Sequence, residues 1–167
     1  MTEPVTRSWI ENGNLYQTAS CIVPVSPRVA WQVMTDHEAY GDAADNLMKV
    51  EVLSGQGVGM RRRCYNTNGG GWSETCTLWD EGREYAFRVH TEAPDYPYPL
   101  KQLSGTWRVD PVPQGSRVSL EFLARAKGGI LGRMMLRLLA RPAEQSCRRL
   151  LKRWAAMMVE AGTPTIS

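Results

Sequence analysis

Apolar and polar positions change period along this chain, and the longest regular pattern comes last. Residues 130–160, ILGRMMLRLLARPAEQSCRRLLKRWAAMMVE, carry apolar side chains at Leu131, Met134, Met135, Leu138 and Leu139. Beyond Pro142 they recur at Ala143, Cys147, Leu150, Trp154 and Met158. Steps of three and four predict one amphipathic helix, with Arg133, Arg137, Arg141, Arg148 and Lys152 on its other side. Such a helix would span ~45 Å at ~1.5 Å per residue, enough to lie across a whole sheet. An interior proline predicts a bend at Pro142.

Upstream the period falls to two. Residues 15–25, LYQTASCIVPV, read as a first strand with Pro24 near its end. Ser26-Pro27 supplies an N-cap and a first-turn proline for a helix whose apolar face is Val29, Ala30, Val33 and Met34. Trp31 could pack inward or cover the rim. The segment HEAYGDAADN reads as a second short helix and a loop. Strands then follow at 47–54, 60–66 and 72–80, the last two around a Thr67-Asn68-Gly69-Gly70 hairpin turn. A tight turn sets Met60 opposite Cys76, Arg62 opposite Glu74 and Cys64 opposite Trp72 on one face. That face is the more apolar and is expected to point inward. Continuing through Glu81-Gly82, the register sets Leu78 against Tyr85, Cys76 against Phe87 and Glu74 against Val89. Residues 93–101, APDYPYPLK, are loop. Strands at 102–109 and 116–126 pair Val109 with Val118, Trp107 with Leu120 and Gly105 with Phe122.

Strand, two short helices, a run of strands and one long helix define an α+β protein. An antiparallel sheet of six to seven strands must curve, and a curved sheet closing on one helix leaves space between them. The expected organisation is an N-terminal extension over 1–14, a single domain over 15–160 and a tail over 161–167.

The chain's 167 residues suit one domain with a real core. No apolar run reaches the ~18 residues of a membrane span, and the N-terminus lacks a signal-peptide layout. Four scattered cysteines, Cys21, Cys64, Cys76 and Cys147, show no CxxC spacing. The reading is free thiols in a cytoplasmic protein with no metal and no cofactor. A net charge of +3 gives no support for nucleic acid as a partner. No phosphate-binding loop is present, since GQGVG lacks the Gly-Lys-Ser/Thr such a loop needs.

Four local patterns carry a resemblance. They are Val25-Ser26-Pro27 through Trp31 to Thr35-Asp36; Leu53 to Gly59 with Arg61–Arg63 after it; Trp72-Ser73-Glu74 through Trp79-Asp80 to Tyr85-Ala86-Phe87; and Gly105-Thr106-Trp107 through Gly115–Val118. In that order they resemble the START-like (Bet v 1-like, SRPBCC) superfamily, and within it the polyketide cyclase/dehydrase and lipid-transport branch. The resemblance spans roughly residues 15–160. It implies a helix-grip fold: a curved antiparallel sheet wrapped around the C-terminal helix. It further implies a hydrophobic small-molecule partner such as a lipid, a quinone or a polyketide-like chain. A polyketide aromatase/cyclase or dehydratase acting in the same cavity is the alternative, and a protein-interaction module a second one. One departure concerns the cavity entrance. The family often has a Trp-Pro pair after the first helix, where this chain has Gly41-Asp42-Ala43-Ala44-Asp45.

Candidate site residues follow from register and resemblance together. Arg62 and Glu74 fall on the inward face among Met60, Cys64, Trp72 and Cys76. Two buried charges cost several kcal/mol each unless paired, so the pair is either the polar floor of a ligand cavity or a structural salt bridge. Met134, Met135 and Leu138 of the long helix, with Phe87, Val89 and Trp107 of the sheet, are expected to line the gap. Each of these alone could equally be plain core. Asp36, His37 and Tyr40 could supply a general acid or base, but helix capping and solvent-facing polarity are the simpler reading. His90 is expected to face outward. Asp42 and Asp45 read as turn acids. The Arg133/Arg137/Arg141 stripe reads as a solvated helix face, with an acidic lipid surface or a partner as the alternative.

Overall fold

Asn12 and Gly13 both take positive φ, 50° and 78°, and turn the chain back on itself near its start. Asn-Gly tolerates that conformation with little strain, and it suits a two-residue hairpin. The result is a hairpin of β1 (Val5–Glu11) and β2 (Asn14–Val23), paired from Glu11↔Asn14 to Val5↔Ser20. The computed structural model describes residues 1–163, and its antiparallel sheet has eight strands rather than six to seven. The additional strand, β1, lies within the segment expected to be an extension.

After β2 come α1 (Pro27–Thr35) and the one-turn α2 (Tyr40–Ala43). Ser26 caps α1 by accepting from the Val29 N–H. The remaining strands are β3 (Leu47–Ser54), β4 (Arg61–Asn66), β5 (Gly71–Asp80), β6 (Glu84–Val89), β7 (Leu100–Val112) and β8 (Gly115–Ala126). Helix α3 (Gly129–Gly162) closes the chain, so residues 161 and 162 are still helical. Residues 164–167 of the expected tail lie outside the described residues. The strand order is β1-β2-β8-β7-β6-β5-β4-β3, so α1 and α2 carry the chain from one side of the sheet to its far edge.

The expected registers of β4 on β5 and β7 on β8 hold for Arg62↔Glu74, Cys64↔Trp72 and Trp107↔Leu120. Met60 lies just before β4, and Cys76 bonds to Gly59 and Met60 together rather than pairing with Met60 alone. Between β5 and β6 a register shift falls after Cys76↔Phe87. Beyond it Trp79, not Leu78, faces Tyr85, and Leu78 is turned out to solvent. The shift brings the Trp79 indole inward in place of the Leu78 side chain.

Helix α3 packs on β1, β2 and β8 and on both short helices. Its buried side chains are Leu136, Cys147, Leu150, Leu151, Trp154, Ala155 and Met158. Pro142 sits inside it with helix on both sides, leaving the Leu138 carbonyl without its usual N–H donor. Because α3 lies toward the β1/β2/β8 side, the middle strands are roofed only in part. The uncovered space between them and the second half of α3 is a cavity.

Candidate functional site

The cavity has a volume of about 370 Å³. Its sheet wall comes from alternate inward residues of β5 to β8: Trp72, Glu74, Phe87, Val89, Trp107 and Phe122. Ala143, Ser146, Cys147 and Leu150 of α3 form the opposite wall. The rim holds solvent-exposed Asp45, Asn46 and Tyr98. Asp45 ion-pairs with Arg149, tying the loop after α2 to the helix. Tyr98, from the proline-rich loop, packs edge-on against Trp72, and its hydroxyl accepts from Asn66 Nδ2.

Gly105 keeps the aromatic wall flat. A Cβ there would lie 2.7 Å from Trp107 Cη2 and 2.8 Å from Phe122 Cε1. Glycine is what lets both rings lie over the strand.

A buried charge pair joins this wall, at Glu74, to the layer behind it, at Arg62. The Arg62 side chain is 1% exposed and that of Glu74 8%. Arg62 Nε donates to Glu74 Oε2 at 2.8 Å. Nη2 comes within 2.7 Å of the same oxygen but lacks hydrogen-bond alignment, so its part is coulombic. The Trp72 indole donates to Glu74 Oε1 at 2.7 Å, so both carboxylate oxygens are engaged. Burial, the largest single influence, works against the Arg62 cation, but the Glu74 carboxylate together with Cys64, Tyr85 and Tyr40 outweighs it, leaving the guanidinium harder to deprotonate than usual. Three rings surround that cation. Its central carbon is 3.8 Å from the Phe87 ring centroid, 5.1 Å from Tyr40 and 5.5 Å from Trp107. Cation–π attraction is strongest where water is excluded, as here.

The third partner was not expected. His37 is buried, and its Nδ1 sits 3.1 Å from Arg62 Nη1. A guanidinium only donates, so Nδ1 accepts and the proton belongs on Nε2. Burial, helped by the neighbouring Arg62 charge, pushes the His37 pKa down to about 3. The imidazole is therefore neutral at ordinary pH. The reading of this segment as capping holds for Asp36, whose carboxylate accepts from the Ala39 N–H, but not for His37.

Of the sequence-expected lining, Trp72, Glu74, Phe87, Val89 and Trp107 do face the cavity. Arg62 stands one layer behind it. Met60 and Cys76 are buried in the sheet core beside that layer and do not reach the cavity. Met134 and Leu138 are corrections: they are 55% and 79% exposed, and Met135 is half-buried away from the cavity. The physical reason is the arc of α3 that meets the sheet. Gly132 and Leu136 define it, and Gly132 approaches so closely that a Cβ would strike the Lys127 carbonyl.

Gln17 of β2 lines the cavity although nothing in the sequence singled it out. It donates through Nε2 to Ser8 Oγ and to the Ala140 carbonyl, each at 3.2 Å. Its side-chain oxygen has no partner among the described residues and is an acceptor at the cavity wall. Tyr40, for which solvent-facing polarity was the simpler reading, lines the cavity too. Burial raises its hydroxyl pKa well above the ordinary value, keeping it a donor. His90, expected outward, is half-buried on the outer face, 2.8 Å from Thr75 Oγ1. No group of three or more potential metal ligands occurs among the described residues.

An antiparallel sheet gripping one long helix over a mostly apolar cavity is the helix-grip architecture. The chain belongs to the family described as polyketide cyclase / dehydrase and lipid transport, which matches residues 17–158. Its fold is similar to that of TTHA0849 from Thermus thermophilus, with a TM-score of 0.70 at 21% identity over 87% of this chain and 98% of that one. Ara h 8.0201 is similar with a TM-score of 0.67 at 14% identity, over 89% of this chain and 99% of that one. The di-domain ARO/CYC StfQ from the steffimycin biosynthetic pathway gives 0.70 at 12% identity, over 88% of this chain and 51% of that one. No curated protein matches the chain in sequence.

Proposed function

We propose that this protein binds a flat, largely apolar small molecule in the cavity between sheet and α3, and carries it chemically unchanged. A lipid with a compact head, a quinone or a polyketide-like ring system fits this class. The observation that carries the reading is the cavity itself: about 370 Å³, walled by Trp72, Phe87, Trp107 and Phe122, with few polar groups. Pockets for small molecules have this makeup, and flat rings stack well on aromatic walls. The Tyr40 hydroxyl and the Gln17 side-chain oxygen offer a donor and an acceptor to orient a carbonyl or hydroxyl on the ligand.

Carriage rather than turnover is favoured by the state of the buried ionisable groups. His37 is neutral and lies behind the wall. The Glu74 oxygens are already held by Arg62 and Trp72. Neither is free to move a proton at the cavity surface, as a general base must. The second reading, a polyketide aromatase/cyclase, draws on Tyr40, whose protonated hydroxyl could polarise a ketone during ring closure.

Native mass spectrometry of the purified chain tests the first reading directly. A co-purified apolar adduct, absent from Ala143→Trp, is expected, because that substitution fills the cavity from the α3 side. Binding that survives Ala143→Trp would place the ligand elsewhere. Conversion of a supplied poly-ketone chain into a cyclised product, lost in Tyr40→Phe, would favour the cyclase.

A further inference from the structure

The first half of α3 has an apolar face that none of the described residues covers. Leu131 is 77% exposed, Leu138 79%, Ile130 69% and Met134 55%. At helical spacing Leu131, Met134, Leu138 and Pro142 share one face. Beside it run exposed Arg133, Arg137 and Arg141, and Gly129–Ala143 contains no acidic residue. None of these arginines makes an ion pair among the described residues. At the N-terminal tip of the helix, Arg133 joins Lys101, Arg125 and Lys127 around a cleft of about 400 Å³. Those lysines and Arg125 also lack ion-pair partners among the described residues.

We propose that this end of the molecule docks on an anionic phospholipid bilayer, with α3 lying in the interface plane rather than crossing it. Exposed leucine and methionine enter the acyl boundary while the cationic side chains meet lipid phosphates, the division of labour of an interfacial helix. Charge decides between occupants. A second copy of this chain on the same face would set two arginine rows close together without a carboxylate to separate them, whereas an anionic surface is complementary to both the row and the cleft. Among the described residues no helix is long and apolar enough to cross a membrane, in keeping with docking.

The docking face runs into the cavity mouth. Leu139, 47% exposed, precedes Ala143 by one turn, and Ala143, Ser146 and Leu150 line the cavity. An apolar ligand leaving the bilayer would meet a continuous apolar ridge along α3. In this respect the proposal rests on the ligand-binding reading, and the test separates the two.

The full chain is floated with vesicles of phosphatidylcholine alone and of phosphatidylcholine mixed with phosphatidylglycerol, at low and high salt. Binding to the anionic vesicles that weakens with salt is expected, with little on the neutral ones. Each arginine near the surface is worth about fivefold, so Arg133→Gln/Arg137→Gln/Arg141→Gln should weaken binding about a hundredfold. Leu131→Asn/Leu138→Asn should weaken it at least tenfold, as roughly two side chains stay in water. Both variants change exposed residues, and circular dichroism checks their folding. No binding to anionic vesicles at low salt, or binding indifferent to both variants, overturns docking. A dimer in light scattering that the leucine variant splits also overturns it, giving the face to a second copy. Anilinonaphthalene sulfonate binding without vesicles is measured in parallel. If the fluorophore enters the wild-type cavity and not that of Ala143→Trp while vesicles are ignored, only docking falls.

Discussion

Replacing Arg62 by methionine is the most informative perturbation of the buried site. Methionine preserves much of the side chain's length and apolar contact with Phe87 but removes the charge. Glu74 then keeps a single hydrogen bond, from the Trp72 indole, and His37 Nδ1 loses its donor. Breaking a buried pair by removing one partner costs about 3–5 kcal/mol, because the remaining charge stays out of water. For a domain of this size each kcal/mol moves Tm by about 2–4 °C, so the single variant should melt roughly 10 °C below the wild type. Calorimetry and urea unfolding measure this.

The double variant Arg62→Met/Glu74→Leu removes both charges. Apolar replacement of a buried pair is often neutral or stabilising, so most of the loss should return. A cost under about 1 kcal/mol for Arg62→Met, or a double variant no more stable than the single one, would mean that Arg62 and Glu74 do not act as a desolvated pair.

Three further outcomes are expected. His37 has its pKa held at about 3 in the folded protein against ~6.5 unfolded, so its contribution is intact above pH ~6.5 and is lost as pH falls toward 3. His37→Gln, which keeps an acceptor but cannot titrate there, should flatten the acid slope of stability by about 1 kcal/mol per pH unit, read from urea midpoints against pH. Gly105→Ala should lower stability by about 1–3 kcal/mol and weaken anilinonaphthalene sulfonate binding, since Trp107 and Phe122 must give way; unchanged fluorescence titrations would contradict that geometry. Ellman titration in denaturant without reductant should find four thiols, reacting slowly in the native protein because all four are buried and burial pushes Cys21 and Cys147 up to about 11.

Much of the sheet was legible because its turns are written in residues that only certain conformations accept. Thr67-Asn68-Gly69-Gly70 set the β4–β5 register, and alternation then placed Arg62, Glu74, Cys64 and Trp72 on one face, as found. The same logic was available at Asn12-Gly13, where it marks the β1–β2 hairpin. The polar letters of β1, Thr6, Arg7 and Ser8, hid it. They sit on an edge strand whose burial is only partial. The shift after Cys76 could not be read, because alternation is blind to one inserted residue until side-chain size decides whether Leu78 or Trp79 goes inward.

Helix α3 shows where periodicity stops being informative. Before Pro142 the residues Ile130, Leu131, Met134, Met135, Leu136, Leu138 and Leu139 spread over far more than one face. Several arcs fit a spacing of three and four, the one with Met134 and Leu138 among them. The sheet chose the arc with Gly132 and Leu136, because a missing side chain permits the close approach that a large one forbids. An apolar pattern states that a surface avoids water. It does not state what covers it. His37 is the converse case: a polar letter in a polar segment, buried because a guanidinium beneath it needs an acceptor. Both cases have one origin. Local pattern reports a side chain's own preference, whereas the site is made of partners that meet across the fold. Arg62 from β4, Glu74 from β5 and His37 from the turn after α1 become one unit only when the sheet is assembled.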